Sequence, residues 1–292
     1  MRATSPGVLV SGALPGKRPP WLTVRAPSGG SVSRVTETLA RHGLRTVCRE
    51  ARCPNVGECW GEGTATVLIL GDICTRGCAF CSVEPGRPAP PDPCEPARVA
   101  AAAAELGWRH LVVTSVTRDD LPDGGAGQFV RVVGELRKSL SPPAVELLVP
   151  DFAGDRDALA AVVAARPDIL AHNVETVPRL YLEVRPGASY ERSLALLSRA
   201  HAIDPGLPLK SGLMVGFGET RKEVVGVMED LFAAGCRSVT VGQYLPPSRH
   251  HRRAKEYLSP ETFQELAAEA RAIGFPRVAC GPLVRSSYRA GA

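Results

Sequence analysis

The chain has 292 residues, 44% of them hydrophobic, and carries a formal net charge of +5. This length and composition suit one large α/β domain with appendages, or two ordinary domains. No run approaches the ~18 apolar residues of a membrane-spanning helix, and residues 1–20 lack the basic start and apolar run of a secretory signal. We therefore expect neither a membrane partner nor export.

The positive charge is concentrated in two places. Residues 1–60 hold nine Lys or Arg and three acidic residues, a local charge of +6, so the other 232 residues sum to about −1. A second basic cluster, Arg249–Arg253 with Lys255, lies near the other end. A solvated face, an acidic protein partner or nucleic acid would each suit such patches. Neither patch has the interleaved aromatic residues of a single-strand groove, so no nucleic-acid partner is expected.

The first thirty residues are rich in Gly, Pro and Ser and predict an irregular arm, with Trp21 and Leu22 anchoring its end. A short helix is predicted from Ser33 to about Leu44, with Ser33 as its N-cap. The cysteine-bearing segment Cys48–Cys59 that follows is predicted to be a loop.

From about Thr64, short apolar runs alternate with longer helical stretches, which indicates βα units around a parallel sheet. Six units are predicted. The strands are Thr66–Leu70, His110–Ser115, Val145–Val149, Asp168–His172, Leu209–Val215 and Ser238–Gln243. The helices are Glu95–Leu106, Gly127–Leu140, Asp155–Ala165, Tyr190–Ile203, Arg221–Ala234 and Ser259–Ile273.

Periodicity alone does not distinguish a doubly wound sheet from a partly open barrel. Polar residues follow the ends of the predicted strands, which is where a parallel α/β barrel assembles its active site, although open sheets bind ligands at the same edge. We favour an α/β fold in the form of a partial (β/α)6 TIM-like barrel. Residues 1–62 would form a cysteine-rich N-terminal extension, residues 63–276 the barrel, and residues 277–292 a short C-terminal segment.

Cys74-x3-Cys78-x2-Cys81 follows the first predicted strand, with Phe80 before the last cysteine. Three thiolates on so short a loop suit one iron–sulfur cube whose fourth iron has no protein ligand, leaving it open to a substrate or cofactor. The alternative is zinc, but zinc sites usually close four ligands through paired short spacings.

A second triplet, Cys48-x4-Cys53-x5-Cys59, lies upstream, and it too suits a cluster, with a zinc knuckle or buried thiols as alternatives. Six of the nine cysteines thus lie in two triplets, which favours metal ligation in a reducing compartment, the cytoplasm, over disulfides. Cys94, Cys236 and Cys280 have no partner at ligand spacing and are interpreted as structural thiols.

The first triplet with Phe80 resembles the signature of the radical S-adenosylmethionine (SAM) superfamily, and the second is similar to the additional triplet of the lipoyl synthase family. The resemblance extends from Trp21 to the C-terminus. The segments that carry it include Ala51-Arg52-Cys53-Pro54-Asn55, Gly57-Glu58-Cys59-Trp60, Gly71-Asp72-Ile73-Cys74-Thr75-Arg76-Gly77-Cys78, Asp123-Gly124-Gly125-Ala126, His172-Asn173-Val174-Glu175-Thr176, Lys210-Ser211-Gly212-Leu213-Met214-Val215-Gly216 and Arg285-Ser286-Ser287-Tyr288.

The resemblance implies two [4Fe-4S] clusters with different roles in the reaction. SAM would bind the open iron of the Cys74, Cys78 and Cys81 cluster, and its one-electron cleavage would give a 5′-deoxyadenosyl radical that removes hydrogen from unactivated carbon. The cluster on Cys48, Cys53 and Cys59 would be the sulfur source. Its fourth ligand would be a serine of the C-terminal motif, Ser287, with Ser286 the less favoured candidate.

Other candidate residues follow from the same resemblance or from electrostatics. Gly124 and Gly125 would lie near the methionine part of SAM, with an ordinary turn as the alternative. Asn173 and Glu175 would hydrogen-bond its ribose, with a structural salt bridge of the Glu as the alternative. Arg185, Tyr190 and Arg192 would position a carboxylate, with surface ion pairs as the alternative. Arg49, Arg52 and Arg76 adjoin cluster cysteines and would offset thiolate charge.

The implied reaction is insertion of two sulfur atoms at carbons 6 and 8 of a protein-bound octanoyl-lysine. The partners would be octanoylated carrier domains of 2-oxoacid dehydrogenase complexes or of the glycine-cleavage system, which the basic N-terminal segment would steer. An electron donor such as ferredoxin or flavodoxin and an iron–sulfur carrier for cluster rebuilding would also be needed. The alternatives are another radical SAM sulfur-inserting enzyme and an iron–sulfur protein without turnover.

Overall fold

The computed structural model of the chain describes residues 18–24, 30–288 and 290–291. Within these ranges there are ten strands. They are β1 (Arg45–Thr46), β2 (Thr64–Ile69), β3 (Ile73–Cys74), β4 (Glu84–Pro85), β5 (His110–Ser115), β6 (Ala144–Leu148), β7 (Ile169–Ala171), β8 (Leu209–Val215), β9 (Ser238–Gln243) and β10 (Arg277–Gly281).

The same ranges contain ten α-helices and three short 3₁₀ turns. The helices are α1 (Gly30–Arg41), α2 (Val47–Glu50), α3 (Val56–Gly61), α4 (Glu95–Leu106), α5 (Ala126–Leu136), α6 (Arg156–Ala164), α7 (Tyr181–Val184), α8 (Tyr190–Ile203), α9 (Arg221–Ala233) and α10 (Pro260–Ile273). The 3₁₀ turns are Pro20–Leu22, Phe152–Gly154 and Pro178–Leu180. None of the helices in the described ranges combines the length and apolarity that crossing a bilayer requires.

Eight strands form one sheet in the order β1-β2-β5-β6-β7-β8-β9-β10, and β3 pairs with β4 separately. From β2 to β10 every pairing is parallel. The strands follow chain order without the reversal that defines a doubly wound sheet. The sheet therefore has the topology of a partial barrel, as predicted.

Most of the predicted βα elements lie where the apolar pattern placed them. The bounds of β5, β8, β9, α4 and α8 agree with the prediction, and the remaining main strands and helices differ by one to four residues at their ends. Strands β2 and β5 are almost wholly buried because sheet and helices cover both of their faces. Helices α4 and α5 place Val99, Ala102, Phe129 and Val132 in this core.

The N-terminal extension and the C-terminal segment each add a strand to the sheet. β1, within residues 1–62, pairs antiparallel with β2. β10, within residues 277–292, pairs parallel with β9 through five residues. Neither β1 nor β10 was predicted, because neither has an apolar run long enough to stand out in the sequence.

Two local predictions were wrong. The first helix begins at Gly30 rather than after a Ser33 N-cap, and it ends at Arg41, before the predicted end at about Leu44, because Gly43 with its φ of 60° turns the chain away. The segment Cys48–Cys59 is not a plain loop, since the short helices α2 and α3 occupy most of it. Thr46 caps α2 by accepting a hydrogen bond from the Arg49 N–H at 3.3 Å.

A buried ion pair lies inside the barrel. The Lys210 Nζ on β8 donates to both carboxylate oxygens of Glu146 on β6, at 2.9 and 3.0 Å, across the intervening strand β7. The two side chains are only 7% and 1% exposed. Water therefore compensates neither charge. Lys210 depends on Glu146, and the Glu146 Oε2 also lies 3.6 Å from the His110 Nε2.

Lys210→Met is expected to lower the free energy of unfolding by about 3–5 kcal/mol, because it removes the ammonium group paired with the buried Glu146 carboxylate and leaves only His110 near it. The double variant Lys210→Met/Glu146→Leu is expected to recover most of that loss, since apolar side chains of similar size replace both charges. Urea unfolding followed by circular dichroism measures both variants. A loss below about 1 kcal/mol in the single variant would contradict the importance of this pair.

Candidate functional site

An interior cavity of about 160 Å³, partly open to solvent, occupies the partial barrel. Four parts of the chain line it. These are the second cysteine triplet with α2 and α3, the loop of the first triplet through Phe80, strands β2, β8 and β9 with the residues after β7, and the C-terminal segment. The predicted site residues on the cavity wall are Cys48, Cys53, Cys59, Phe80, Asn173, Glu175, Ser286 and Ser287.

The second triplet lies on and between the two short helices. Cys48 is in α2 and Cys59 in α3, both buried, and Cys53 lies half-buried in the turn that joins them. Burial raises the pKa of Cys53 to about 11, and nearby Cys48 and Cys59 add to the rise. The Cys53 sulfur is thus within electrostatic range of the other two sulfur atoms, as ligands of one group must be.

The C-terminal segment is tied to the second triplet by two contacts. The Asn55 side-chain amide donates to the Leu283 carbonyl at 2.8 Å, and the Tyr288 hydroxyl donates to the Glu58 carboxylate at 3.1 Å. Between these anchors lie Arg285, Ser286 and Ser287. The anchors hold both serines on the cavity wall beside the three cysteines.

Gly242 on β9 allows this close approach. A Cβ at that position would overlap the carbonyl oxygen of Val284, a rigid backbone atom. Any other residue would therefore push the C-terminal segment off the sheet, and the two serines with it.

The first triplet lies on the loop that leaves β2 and includes β3. The Cys74 sulfur accepts N–H groups from Thr117 at 3.3 Å and Arg76 at 3.4 Å, and the Cys81 sulfur accepts from Val83 at 3.5 Å. Burial raises the pKa of Cys81 to about 11, although the Val83 N–H opposes the rise. Such N–H contacts stabilise negative charge on sulfur, which suits cysteines that bind iron as thiolates.

Arg76 has a different environment from the one predicted. Its guanidinium, 8% exposed, forms paired hydrogen bonds with Asp119 and with Asp151, the latter at 2.8 and 3.0 Å. Burial disfavours its charge, but the two carboxylates outweigh burial and raise the pKa of Arg76. Its charge is therefore matched within the protein rather than free to offset thiolates, and its contacts fix the Cys74–Cys78 loop to the ends of β5 and β6.

Asn173 and Glu175 follow β7 and face the cavity. Glu175 has φ of 66°, and its backbone bonds to β8 through Gly212 and Met214. Burial raises the pKa of its carboxyl group, against the opposing effect of Arg185. The Asn173 Oδ1 atom is buried and has no hydrogen-bond partner in the described protein. A polar ligand in the cavity would satisfy it.

Arg185 is close to both the first triplet and Glu175. Its Nη1 donates to the Asn173 carbonyl at 2.9 Å and to the Tyr181 hydroxyl at 3.2 Å. Burial raises the pKa of Cys78, and the Arg185 charge opposes this rise. Tyr190 and Arg192, grouped with Arg185 from the sequence, instead bond to Asp230 and Asp151 and do not line the cavity.

Gly124 and Gly125 lie apart from the cavity wall. Both have left-handed φ values, 59° and 89°, and a Cβ on Gly125 would overlap Leu70. Asp123 accepts the Gly125 N–H at 2.9 Å and so fixes the turn. The two glycines thus form a tight turn before α5 near Phe152, and their predicted contact with SAM stays a prediction.

Arg285 was not identified from the sequence as a site residue. It is the one cation on the cavity wall among the described residues, and its Nη1 donates to the Val284 carbonyl at 2.7 Å. Burial lowers the pKa of Arg285, and the Cys53 thiol opposes this effect. Its position directly before Ser286 in the C-terminal motif could have identified it from the sequence.

The remaining cysteines do not join either triplet. Cys236 is buried behind α9, Cys280 lies on β10, and Cys94 is exposed at the start of α4. Burial raises the pKa values of Cys236 and Cys280 to about 12, so both remain protonated thiols at neutral pH.

The thiols suit iron–sulfur clusters better than a single ion. Among the described side chains, no three His, Cys, Asp or Glu groups converge to hold one metal ion. A cubane cluster makes a different demand, because each thiolate binds a separate iron. Cys53 is within electrostatic range of Cys48 and Cys59, and Cys81 is within range of Cys78 and Cys74. The residues present therefore fit the group that their spacing predicts.

Comparison with known proteins gives consistent results. Residues 68–231 match the family model of the radical SAM superfamily. The lipoyl synthase of Oleidesulfovibrio alaskensis is 54% identical over 93% of each chain. Those of Methylococcus capsulatus and Caldanaerobacter subterraneus are each 53% identical, over 97% and 94% of this chain and 88% and 96% of their own.

Solved structures share the fold at low identity. Methylornithine synthase superposes with a TM-score of 0.55 at 15% identity, over 85% of this chain and 77% of its own. The hydrogenase maturase HydG from Carboxydothermus hydrogenoformans superposes with a TM-score of 0.58 at 15% identity, over 83% of this chain and 63% of its own. The sequence relatives are far closer than these. The chain belongs to the radical SAM superfamily and, within it, to the lipoyl synthase family.

Proposed function

We propose that this protein is a lipoyl synthase, which inserts two sulfur atoms at carbons 6 and 8 of an octanoyl chain amide-linked to a lysine of a carrier protein. Family membership supports the reaction. The structural observation that carries it is the meeting of the second triplet, the C-terminal serines and Phe80 of the first triplet's loop on one interior cavity. A protein that only stored or carried a cluster would not need that cavity.

SAM and one [4Fe-4S] cluster follow from the superfamily, and we propose that Cys74, Cys78 and Cys81 hold this cluster. We further propose a second [4Fe-4S] cluster on Cys48, Cys53 and Cys59, with Ser287 as its fourth ligand. When bound, the first cluster with SAM supplies hydrogen-atom abstraction, and the second supplies sulfur. The supporting observation for Ser287 is its place on the cavity wall beside the triplet.

The chain's own residues position the reactants. The Arg76 contacts fix the loop that presents Cys74 and Cys78. Asn173 and Glu175 offer a buried acceptor and a carboxyl group toward the cavity, and we assign them to the ribose of SAM. The apolar part of the wall, which includes Val47, Leu213 and Met214, suits an eight-carbon acyl chain and excludes water from it.

The macromolecular substrate is a lipoyl carrier protein. We propose the octanoylated domains of 2-oxoacid dehydrogenase complexes and the glycine-cleavage carrier protein, with the cytoplasm as the compartment. An acidic carrier would be attracted by the basic N-terminal segment, a long-range effect that salt weakens. A low-potential electron donor and an iron–sulfur carrier that rebuilds the second cluster complete the proposed partners.

The division of labour predicts different defects for the two triplets. Anaerobic incubation with an octanoyl-lysine peptide, SAM and dithionite is expected to yield 5′-deoxyadenosine and then one-sulfur and two-sulfur products, read by mass spectrometry. Cys74→Ala is expected to lose all three. Cys48→Ala is expected to retain 5′-deoxyadenosine formation and to lose both sulfur products. Two-sulfur product from Cys48→Ala would refute the assignment of the second triplet.

The serine ligand gives a second test with a matched control. Oxygen is a harder ligand than thiolate and suits iron–sulfur clusters less well, so iron held by serine should be released more easily as sulfur is removed. Ser287→Ala is expected to slow sulfur insertion by about 10- to 100-fold, whereas Ser286→Ala should stay within about twofold of the parent.

Quantified two-sulfur product per reconstituted cluster measures both variants, with iron content determined in the same samples. Normal insertion by Ser287→Ala with both clusters present would exclude Ser287 as a necessary ligand. A defect confined to Ser286→Ala would transfer the role to that residue.

A further inference from the structure

The fold brings the two basic clusters of the sequence together around the loop of the first triplet. On one side, the Ser82 hydroxyl donates to the Glu50 carbonyl at 3.0 Å, next to Arg49 and Arg52. On the other side, the His251 Nε2 lies 3.0 Å from the Cys81 carbonyl, next to Arg249 and Arg253. Residues about 200 positions apart in sequence thus flank the same short loop.

The charge of this region is mostly unmatched. Arg49, Arg52, Arg249 and Arg253 are exposed, and within the described part of the chain none forms an ion pair with a carboxylate. Of the nearby acidic residues, exposed Glu84 has no ion pair within the described ranges, and two others have partners. Glu50 pairs with Arg45 at 3.6 Å. Glu183 pairs with Arg252 at 2.8 Å. We refer to these four arginines as the loop-flanking basic surface.

We infer that the loop-flanking basic surface docks an acidic protein that donates single electrons, of the flavin or iron–sulfur class. The inference rests on the proposed function, since the first triplet must hold a cluster that receives an electron. Electron transfer between proteins requires close approach of the two redox centres. The loop with Cys78 and Cys81 would hold that cluster. The residues between Arg249 and Arg253 contact this loop, since the Arg252 N–H donates to the Ala79 carbonyl at 3.4 Å and the His251 ring lies 3.0 Å from the Cys81 carbonyl.

A carrier domain has less need of this position, because the seven Lys and Arg of residues 1–60 other than Arg49 and Arg52 also attract it. Its octanoyl-lysine is a long flexible arm that reaches the interior cavity from a docking site at some distance. An electron donor has no such arm. Unmatched positive charge beside the loop also gives long-range attraction to an acidic partner, which raises the association rate more than the final affinity.

The step is a one-electron transfer. The donor's reduced centre loses one electron and the cluster held by Cys74, Cys78 and Cys81 gains it, and no group or bond moves between the proteins. The Arg249 and Arg253 side chains take no part in the chemistry. Their role is to bring the donor into range, so their loss should affect a protein donor and spare a small chemical reductant.

The test compares two reductants on the reconstituted full-length protein. Reduction of its cluster, followed by stopped-flow absorbance, is driven either by photoreduced flavodoxin or by dithionite. Arg249→Glu/Arg253→Glu is expected to slow the flavodoxin-driven rate about 10-fold or more at low salt, and to leave the dithionite-driven rate unchanged. Added salt should lower the flavodoxin-driven rate of cluster reduction in the parent and reduce the difference between the rates of parent and variant.

Arg166→Glu/Arg271→Glu is the matched control. It changes the net charge by the same amount. Arg166 follows α6 and Arg271 lies in the last turn of α10. The C-terminal ends of these helices lie on the face of the barrel opposite the first triplet, which follows the C-terminal end of a strand. It should behave as the parent with both reductants. Equal slowing by the control would assign the effect to net charge and overturn the proposal.

Three other results would also overturn it. An unchanged flavodoxin-driven rate in Arg249→Glu/Arg253→Glu would show that the donor does not dock on this surface. Slowing with both reductants would mean that the variant disturbs the cluster loop itself. A raised KM for an octanoylated carrier domain with normal flavodoxin-driven reduction would assign the surface to the carrier. Formation of two-sulfur product with dithionite tests the proposed function separately from all of these.

Discussion

Arg76 lies buried between two carboxylates, and the geometry of the first triplet depends on this contact. A guanidinium that donates paired hydrogen bonds to both Asp119 and Asp151 has little rotational freedom. It joins the cysteine loop to the ends of two parallel strands, and Arg192 completes the charge balance of Asp151. Because the network is neutral, the loop is held without adding net charge beside the thiols.

The rest of the site depends on closure by the two terminal segments. Strands β1 and β10 extend opposite edges of the open sheet, and the side chains that follow them meet over the cavity. Asn55 and Tyr288 make the contacts between the segments. A partial barrel thus gains a wall that its own six βα units do not provide, and this wall carries the second triplet and the serines.

The sequence predicted those features that depend on local pattern. The apolar runs of β5 and β8 and the spacing of the cysteines each act over a few residues, so they are readable without a structure. Strand β10 was missed because its pairing with β9, rather than its own composition, makes it a strand. The roles of Arg76 and Arg285 were missed for a related reason, since their partners or neighbours lie 43 to more than 200 positions away.

The contact between Tyr288 and Glu58 joins residues separated by 230 positions, near the two ends of the described chain. During synthesis, the cysteines of the second triplet leave the ribosome long before the segment that covers them. Until that segment arrives, the cavity beside these cysteines lacks one wall. The cluster proposed for these cysteines would therefore be installed on the finished polypeptide, and a nascent or C-terminally truncated chain would expose its thiols to oxidation.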